Sequence, residues 1–383
     1  MSVGSPELLI EAEAAAELSV EQVGAEVAAR SPMELFLRRF RKDRLALASL
    51  AVIVLLVLAA ILAPLITELV GAPGPNTQNS GALDQFGTAT GPSANALWPF
   101  IVLLAGVLVA IVLAALPSRT LRRRGPPIAL AAAVLLGIVL AAIFWPSAKH
   151  IFGVDELGRD VFARVLYGAR VSLIVAFIAT GLSMLVGVTL GMIAGYFRGW
   201  VDMVISRVID VLLAFPILLL ALGLAAACSL GKGCLGGLLK PGLVVVIFVI
   251  AFVNWTYIGR IVRGQVLSLR EKEFVDAARA LGASNLRIIF REILPNLVAP
   301  IIVYATLLIP QNILFEAALS FLGAGVQPPT ASWGAMLADA TSTFDSAWWY
   351  MVFPGAALLL TVLAFNLVGD GLQDALAPKA ASN

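Results

Sequence analysis

A helix needs about 20 mainly apolar residues to cross a bilayer, and this sequence repeats runs of that length from one end to the other. Such runs lie at about 45–66, 97–116, 127–146, 170–195, 206–228, 242–262, 297–323 and 349–369. Gly and Pro breaks separate them, as helix ends require. The alternation with period two that marks a membrane β-barrel is absent. The predicted fold class is therefore all-α, a polytopic membrane helical bundle with eight spans. Composition supports this. Hydrophobic residues make up 60% of the chain and charged residues 13%, with a mean hydropathy of +0.96. A soluble protein is about one quarter charged, so a water-soluble globular enzyme is excluded. A net charge of +2 gives no sign of nucleic-acid binding. One histidine and two cysteines do not furnish a multi-ligand zinc or iron–sulfur site.

Lys and Arg set the orientation of such a bundle, because they collect in its cytoplasmic loops. They cluster before the first span (Arg38, Arg39, Arg41, Lys42, Arg44) and between the second and third (Arg119, Arg122, Arg123, Arg124). They recur at the turn after the fourth (Arg198, Arg207) and between the sixth and seventh (Arg263, Arg270, Arg279, Arg287, Arg291). Stretches 67–96, 229–241 and 324–348 are poor in charge. Eight spans with both termini in the cytoplasm satisfy every cluster. The domain reading is a cytoplasmic tail over 1–43, a first transmembrane helix over 44–67, an external loop with a transmembrane hairpin over 68–147, and a core over 148–383. Residues 1–30 carry six glutamates and one arginine, which reads as a solvated tail rather than a cleavable signal.

The longest polar interruption of the second half is 263–296, RGQVLSLREKEFVDAARALGASNLRIIFREILPN. Phe274, Ala277, Ala278 and Leu281 sit at i, i+3, i+4 and i+7, and Leu286, Ile289, Phe290 and Ile293 repeat the spacing. Each set predicts a short helix with one apolar stripe. Gly282 falls where a left-handed residue closes the first helix. Ser284 or Asn285 caps the second, and Pro295 is expected to end it. Small residues at 277 and 278 favour close approach of a partner protein, whereas a membrane-lying helix would carry Leu, Phe or Trp there. Packing of both helices on the protein's own cytoplasmic ends is the purely structural alternative.

Asp276-Ala277-Ala278, then Gly282, then Leu294-Pro295 resembles the EAA loop of ABC-importer permeases, with Asp276 where the family carries glutamate and Glu292 where it usually carries isoleucine. Three further stretches resemble the dipeptide/oligopeptide branch of that family: GVDELGRDVFARVLYGARVS (153–172), EAALSFLGAGVQPPTASWG (316–334) and FNLVGDGLQDALAP (365–378). Val154 and Ala163 depart from the first pattern. The resemblance covers roughly 150–378 and the basic start of the first span. It implies an ABC-importer type I permease fold, six core spans with 97–146 as an inserted hairpin. It implies a transmembrane permease subunit that forms half of a path for di- or oligopeptides. It also implies partners: a second homologous permease, two ATPase subunits that bind ATP and Mg, and an extracytoplasmic substrate-binding protein, all at the plasma membrane of a prokaryote. The ATPase-coupling residues it implies are Glu273, Asp276, Ala277, Ala278, Arg279, Gly282, Leu294 and Pro295.

The chain itself has no phosphate-cradling G-x-x-x-x-G-K-[ST] loop, so no cofactor is expected in it and it reads as non-catalytic. Polar residues inside spans are costly and face protein or water. Glu316, Gln311, Asn312 and, near an external span end, Trp333 are therefore candidates for the substrate pathway, against interhelical bonding and an aromatic belt. Asp155, Arg159 and Asp160 precede the fourth span and can pair with each other or with the partner permease. His150 reads as an ordinary surface histidine. Cys228 and Cys234 flank a short external loop where a disulfide is chemically permitted. Related cargoes (nickel, glutathione, oligosaccharide) and an intramembrane enzyme built on carboxylates such as Asp210 and Glu316 are the competing functions. The enzyme lacks a nucleophile with its base.

Overall fold

A computed structural model describes residues 39–92, 150–229 and 242–376, together with Phe36 and Cys234. The tail 1–30 and both spans of the predicted hairpin 97–146 lie outside the described residues. Those residues are helical throughout their regular structure. Isolated bridges, Leu83–Ala89 and Val154–Asp160 among them, are the β features of the described residues.

Among the described residues the principal helices are, in chain order, α1 (Arg44–Ile61), α2 (Ala63–Val70), α3 (Val161–Phe197), α4 (Gly199–Ala214), α5 (Ile217–Ser229), α6 (Leu243–Arg270), α7 (Glu273–Ala280), α8 (Asn285–Phe321), α9 (Trp333–Ala340) and α10 (Trp349–Leu376). Among the described residues, 5 helices are long and apolar enough to cross a membrane, and 6 spans result if α4 and α5 count as one. The predicted straight span 206–228 is thus corrected. It is two helices meeting at 90°, because Pro216 removes a backbone donor and forces Phe215 into an extended conformation.

Long α3 starts where Asp160 caps it, its carboxylate accepting from the Ala163 amide at 2.8 Å. Its far half reads Gly187-x-x-x-Gly191-x-x-x-Gly195, which places small residues on one face. That face lies directly against α6. A Cβ on Gly191 would stand 2.7 Å from the Gly259 carbonyl oxygen and 2.9 Å from the Val262 Cβ. Neither neighbour is a flexible side-chain end, so Gly191→Leu is expected to cost about 1–3 kcal/mol or more through overpacking. The measurement is the yield of detergent-stable protein, which should fall sharply. Unchanged yield and melting temperature would contradict the close approach.

Pro295 does not end a helix. The backbone widens instead into a π turn over Ile288–Ile293, and the Leu294 amide donates to the Ile289 carbonyl, five residues back. This register absorbs the proline ring and its missing N–H, so the amphipathic segment runs on as the start of a 37-residue span.

At the end of the bundle where α3 and α10 begin, residues 71–92 fold against 150–160. The Asn79 amide donates to Gly158 O, the Val154 amide donates to Thr90 O, and the Trp349 indole donates to Val154 O at 3.0 Å. Thr88 bonds hold the Asp84 carboxyl in this segment below the usual carboxylate range. Asp155 pairs with Arg159 at 2.6 Å, as expected, and Arg164 lies 3.6 Å away. His150 departs from its expected surface role. It is mostly enclosed, with Nδ1 2.8 Å from the Asp160 carboxylate. Cys228 and Cys234 are bridged, with Cα atoms 4.6 Å apart.

Candidate functional site: the loop between α6 and α8

Helix α7 is anchored on the bundle by Val275, its fully buried side chain. Val275 joins Ile288, Ile289 and Ile293 in an aliphatic cluster completed by Val262 and Val266 of α6 and Tyr196 of α3. The stop of α7 is built from backbone alone. Gly282 takes φ +78°, its amide donates to Arg279 O at 2.9 Å, and the Ala283 amide donates to Ala278 O at 3.0 Å. This is the Schellman pattern. Ser284 then caps α8 by accepting from the Arg287 amide at 3.4 Å.

The opposite face stays open. Phe274, Ala277 and Leu281 are exposed, and so are Leu286 and Phe290, at 88% for Leu281, 66% for Leu286 and 57% for Phe290. Five apolar side chains on a polar turn form a patch of the kind proteins keep for partners. Two sequence expectations need correction here. The stripe Leu286-Ile289-Phe290-Ile293 is split, because Ile289 and Ile293 root the loop while Leu286 and Phe290 point outward. Ala278 is half-buried against the cluster, so Ala277 carries the small exposed surface. Glu273, Asp276, Arg279 and Arg287 ring the patch and are exposed. Arg279 pairs with Asp276 within α7 at 3.0 Å. Leu294 packs on the root and Pro295 is exposed.

The span residues separate. Glu316 is fully buried and accepts from the hydroxyls of Ser172 and Ser320, each at 2.7 Å. One turn earlier the Asn312 amide donates to Thr180 at 2.8 Å, while its oxygen accepts from Asn254 at 2.5 Å. These bonds tie α3, α6 and α8 together inside one protomer. Trp333 is fully buried and its indole donates to Val165 O at 3.0 Å. Three of the four pathway candidates therefore brace helices, and Gln311 is the exposed one. The composition of the spans showed that these groups had to face protein or water, but could not say which.

Sequence reasoning passed over the seam between α4 and α6. There Arg260 donates to Asp210 at 2.6 Å with the two side chains 53% and 55% exposed, and Arg263 donates to Asp202 at 2.8 Å. Charges this open on apolar helices face water or another protein, since acyl chains exclude them. The spacing of Gly187, Gly191 and Gly195 was a readable signal that was also passed over.

Residues 187–382 match the family described as binding-protein-dependent transport system inner membrane component. The chain belongs to this family. Residues 31–86 match a second family, the N-terminal TM domain of oligopeptide transport permease C. The chain is thus a multi-pass membrane permease of a binding-protein-dependent transport system, and the loop just described lies inside the matched region. Among relatives, a dipeptide transport system permease protein DppC from Alkalihalophilus pseudofirmus is 51% identical over 237 residues, which cover 62% of this chain and 74% of that one. A glutathione transport system permease protein GsiD from Pectobacterium atrosepticum is 44% identical, with 62% and 75% covered. DppC of Bacillus subtilis is 46% identical, with 61% and 70% covered. An inward-facing methionine ABC transporter, MetNI, overlays with a TM-score of 0.47 at 17% identity, covering 56% of this chain and 97% of that one.

Proposed function

We propose that this permease is one of two homologous membrane subunits of an ATP-driven importer of di- or oligopeptides. Its α7 and the start of α8 dock into ATPase subunits that bind ATP and Mg, and an extracytoplasmic binding protein delivers the cargo. The observation that carries this reading is the two-sided loop. Val275, Ile288 and Ile293 root it in the spanning helices, and Phe274, Ala277, Leu281, Leu286 and Phe290 are left open. A loop serving only to join two spans would bury or solvate its apolar side chains, not aim them outward from a rigid base.

Charge placement supports a cytoplasmic position for this end and for both termini. Arg198, Arg263, Arg270, Lys272, Arg279, Arg287 and Arg291 gather here. The resemblance in sequence to dipeptide permeases supports peptide cargo, and glutathione, itself a peptide, is the nearest rival. The open Asp210–Arg260 pair favours the α4–α6 seam as the lining of the aqueous route or of the contact with the second permease. The intramembrane-enzyme reading is less well supported, because Asp210 is held by Arg260 and Glu316 by two serines, so these two carboxylates do not converge on each other. Affinity purification from native membranes tests the proposal. Two ATPase chains and a second permease should travel with this chain. Its recovery without any nucleotide-binding companion would refute the proposal.

The predicted hairpin 97–146 is proposed to lie outside the transport bundle, because its spans carry almost no charge. Deleting 97–146 is expected to leave uptake within about twofold of the parent rate, whereas loss of uptake by a stably inserted deletion variant would place the hairpin at the core.

A further inference from the structure

Tyr196, in the last turn of α3, meets every element around the loop. Its ring is buried in the aliphatic cluster that holds Val275. Its hydroxyl donates to the Asn285 side-chain oxygen at the start of α8, at 2.8 Å. The guanidinium of Arg270, closing α6, lies 5.6 Å from the ring centroid, and that of Arg279 in α7 lies 6.0 Å away, both within reach of a cation–π contact. Arg270 also donates to the Tyr196 carbonyl. One side chain thus joins α6, α7 and α8 to the far end of the 37-residue α3, which runs without a break to the opposite end of the bundle.

We infer that Tyr196 is a positioning residue that transmits displacement of the α7–α8 loop to α3, through its ring and its bond to Asn285. The inference rests on the proposed docking of that loop to ATPase subunits. A push on α7 is delivered to a packed cluster, and packed clusters shift as units rather than deform continuously. Within it Tyr196 is the α3 side chain whose polar end is fixed to the moving element. Removing the hydroxyl leaves the ring and the packing but cuts the polar link between the end of α3 and the start of α8.

The test uses the whole complex, with its partner permease, ATPases and binding protein, in proteoliposomes supplied with a radiolabelled dipeptide mixture. ATP hydrolysed per peptide taken up is measured for the parent, Tyr196→Phe, Asn285→Ala and the double variant. Hydrolysis is expected to stay within about twofold while uptake falls about tenfold in each single variant, with the double no worse than either, as one shared bond requires. A purely structural role would instead lower assembled complex, hydrolysis and uptake in parallel, and that result overturns the inference. So does an unchanged ratio of ATP to peptide. If Tyr196→Phe fails to assemble, Asn285→Ala reads the same bond from its exposed end. If the parent complex itself shows no ATP-driven uptake, the importer reading fails first and the inference falls with it.

Discussion

Ala277→Trp is expected to abolish peptide uptake while leaving insertion and abundance in the membrane unchanged. Ala277 is exposed, in the middle of the patch between Phe274 and Leu281, and a single methyl there lets a partner surface approach the helix backbone. An indole would hold the two surfaces apart by several ångströms and take the neighbouring apolar side chains out of contact. Interface centres respond steeply to such changes, with about 2 kcal/mol or more lost at a hot spot, which is at least tenfold in affinity. The exposed Asp276–Arg279 pair is worth only about 0–1 kcal/mol, so neutralising it should have far less effect. Uptake assayed beside membrane abundance checks both statements. Normal uptake by an inserted Ala277→Trp protein would remove Ala277 from the docking face.

Gly282→Pro is the second large effect, and its origin lies in the backbone. Proline fixes φ near −65°, whereas Gly282 sits at +78°. It also lacks the N–H that Gly282 donates to Arg279 O. The turn cannot form, so α7 loses its angle to α8 and the outward patch is dispersed. Uptake should fall to background while the spanning helices remain inserted. Gly282→Ala keeps the N–H and carries only the left-handed penalty of about 1–2 kcal/mol, so partial activity is expected from it. Equal activity in the two variants would mean that the turn geometry does not matter.

The features readable in the sequence were those fixed by local chemistry. Repeated apolar length gave the 5 long helices of the described residues, and Gly282 and Ser284 marked a helix stop and a helix start from backbone preference alone. The bend at Phe215–Pro216 was missed because the apolar run continues across it, and hydropathy does not register direction. Pro295 misled for the opposite reason. A proline reads as a stop, but a π turn lets the helix pass. Periodicity placed Leu286 and Ile289 on one stripe, and tertiary packing then divided them between root and patch. Tyr196 gave no signal at all, since its partners are 74 to 89 residues away in sequence. Glu316 and Asn312 were found as costly polar residues. Their partners Ser172 and Thr180 on α3 belong to the packing, which a single sequence does not display.

The most direct test is crosslinking at Leu281, the most exposed of the apolar patch residues named above. A cysteine introduced there, in a chain whose own two cysteines are bridged, and labelled with a benzophenone maleimide should form a photo-adduct with a nucleotide-binding subunit in native membranes. A cysteine at Phe86, exposed at the other end of the bundle, should give no such adduct. Adducts from Phe86 and none from Leu281 would place the ATPase at the wrong end and contradict the account.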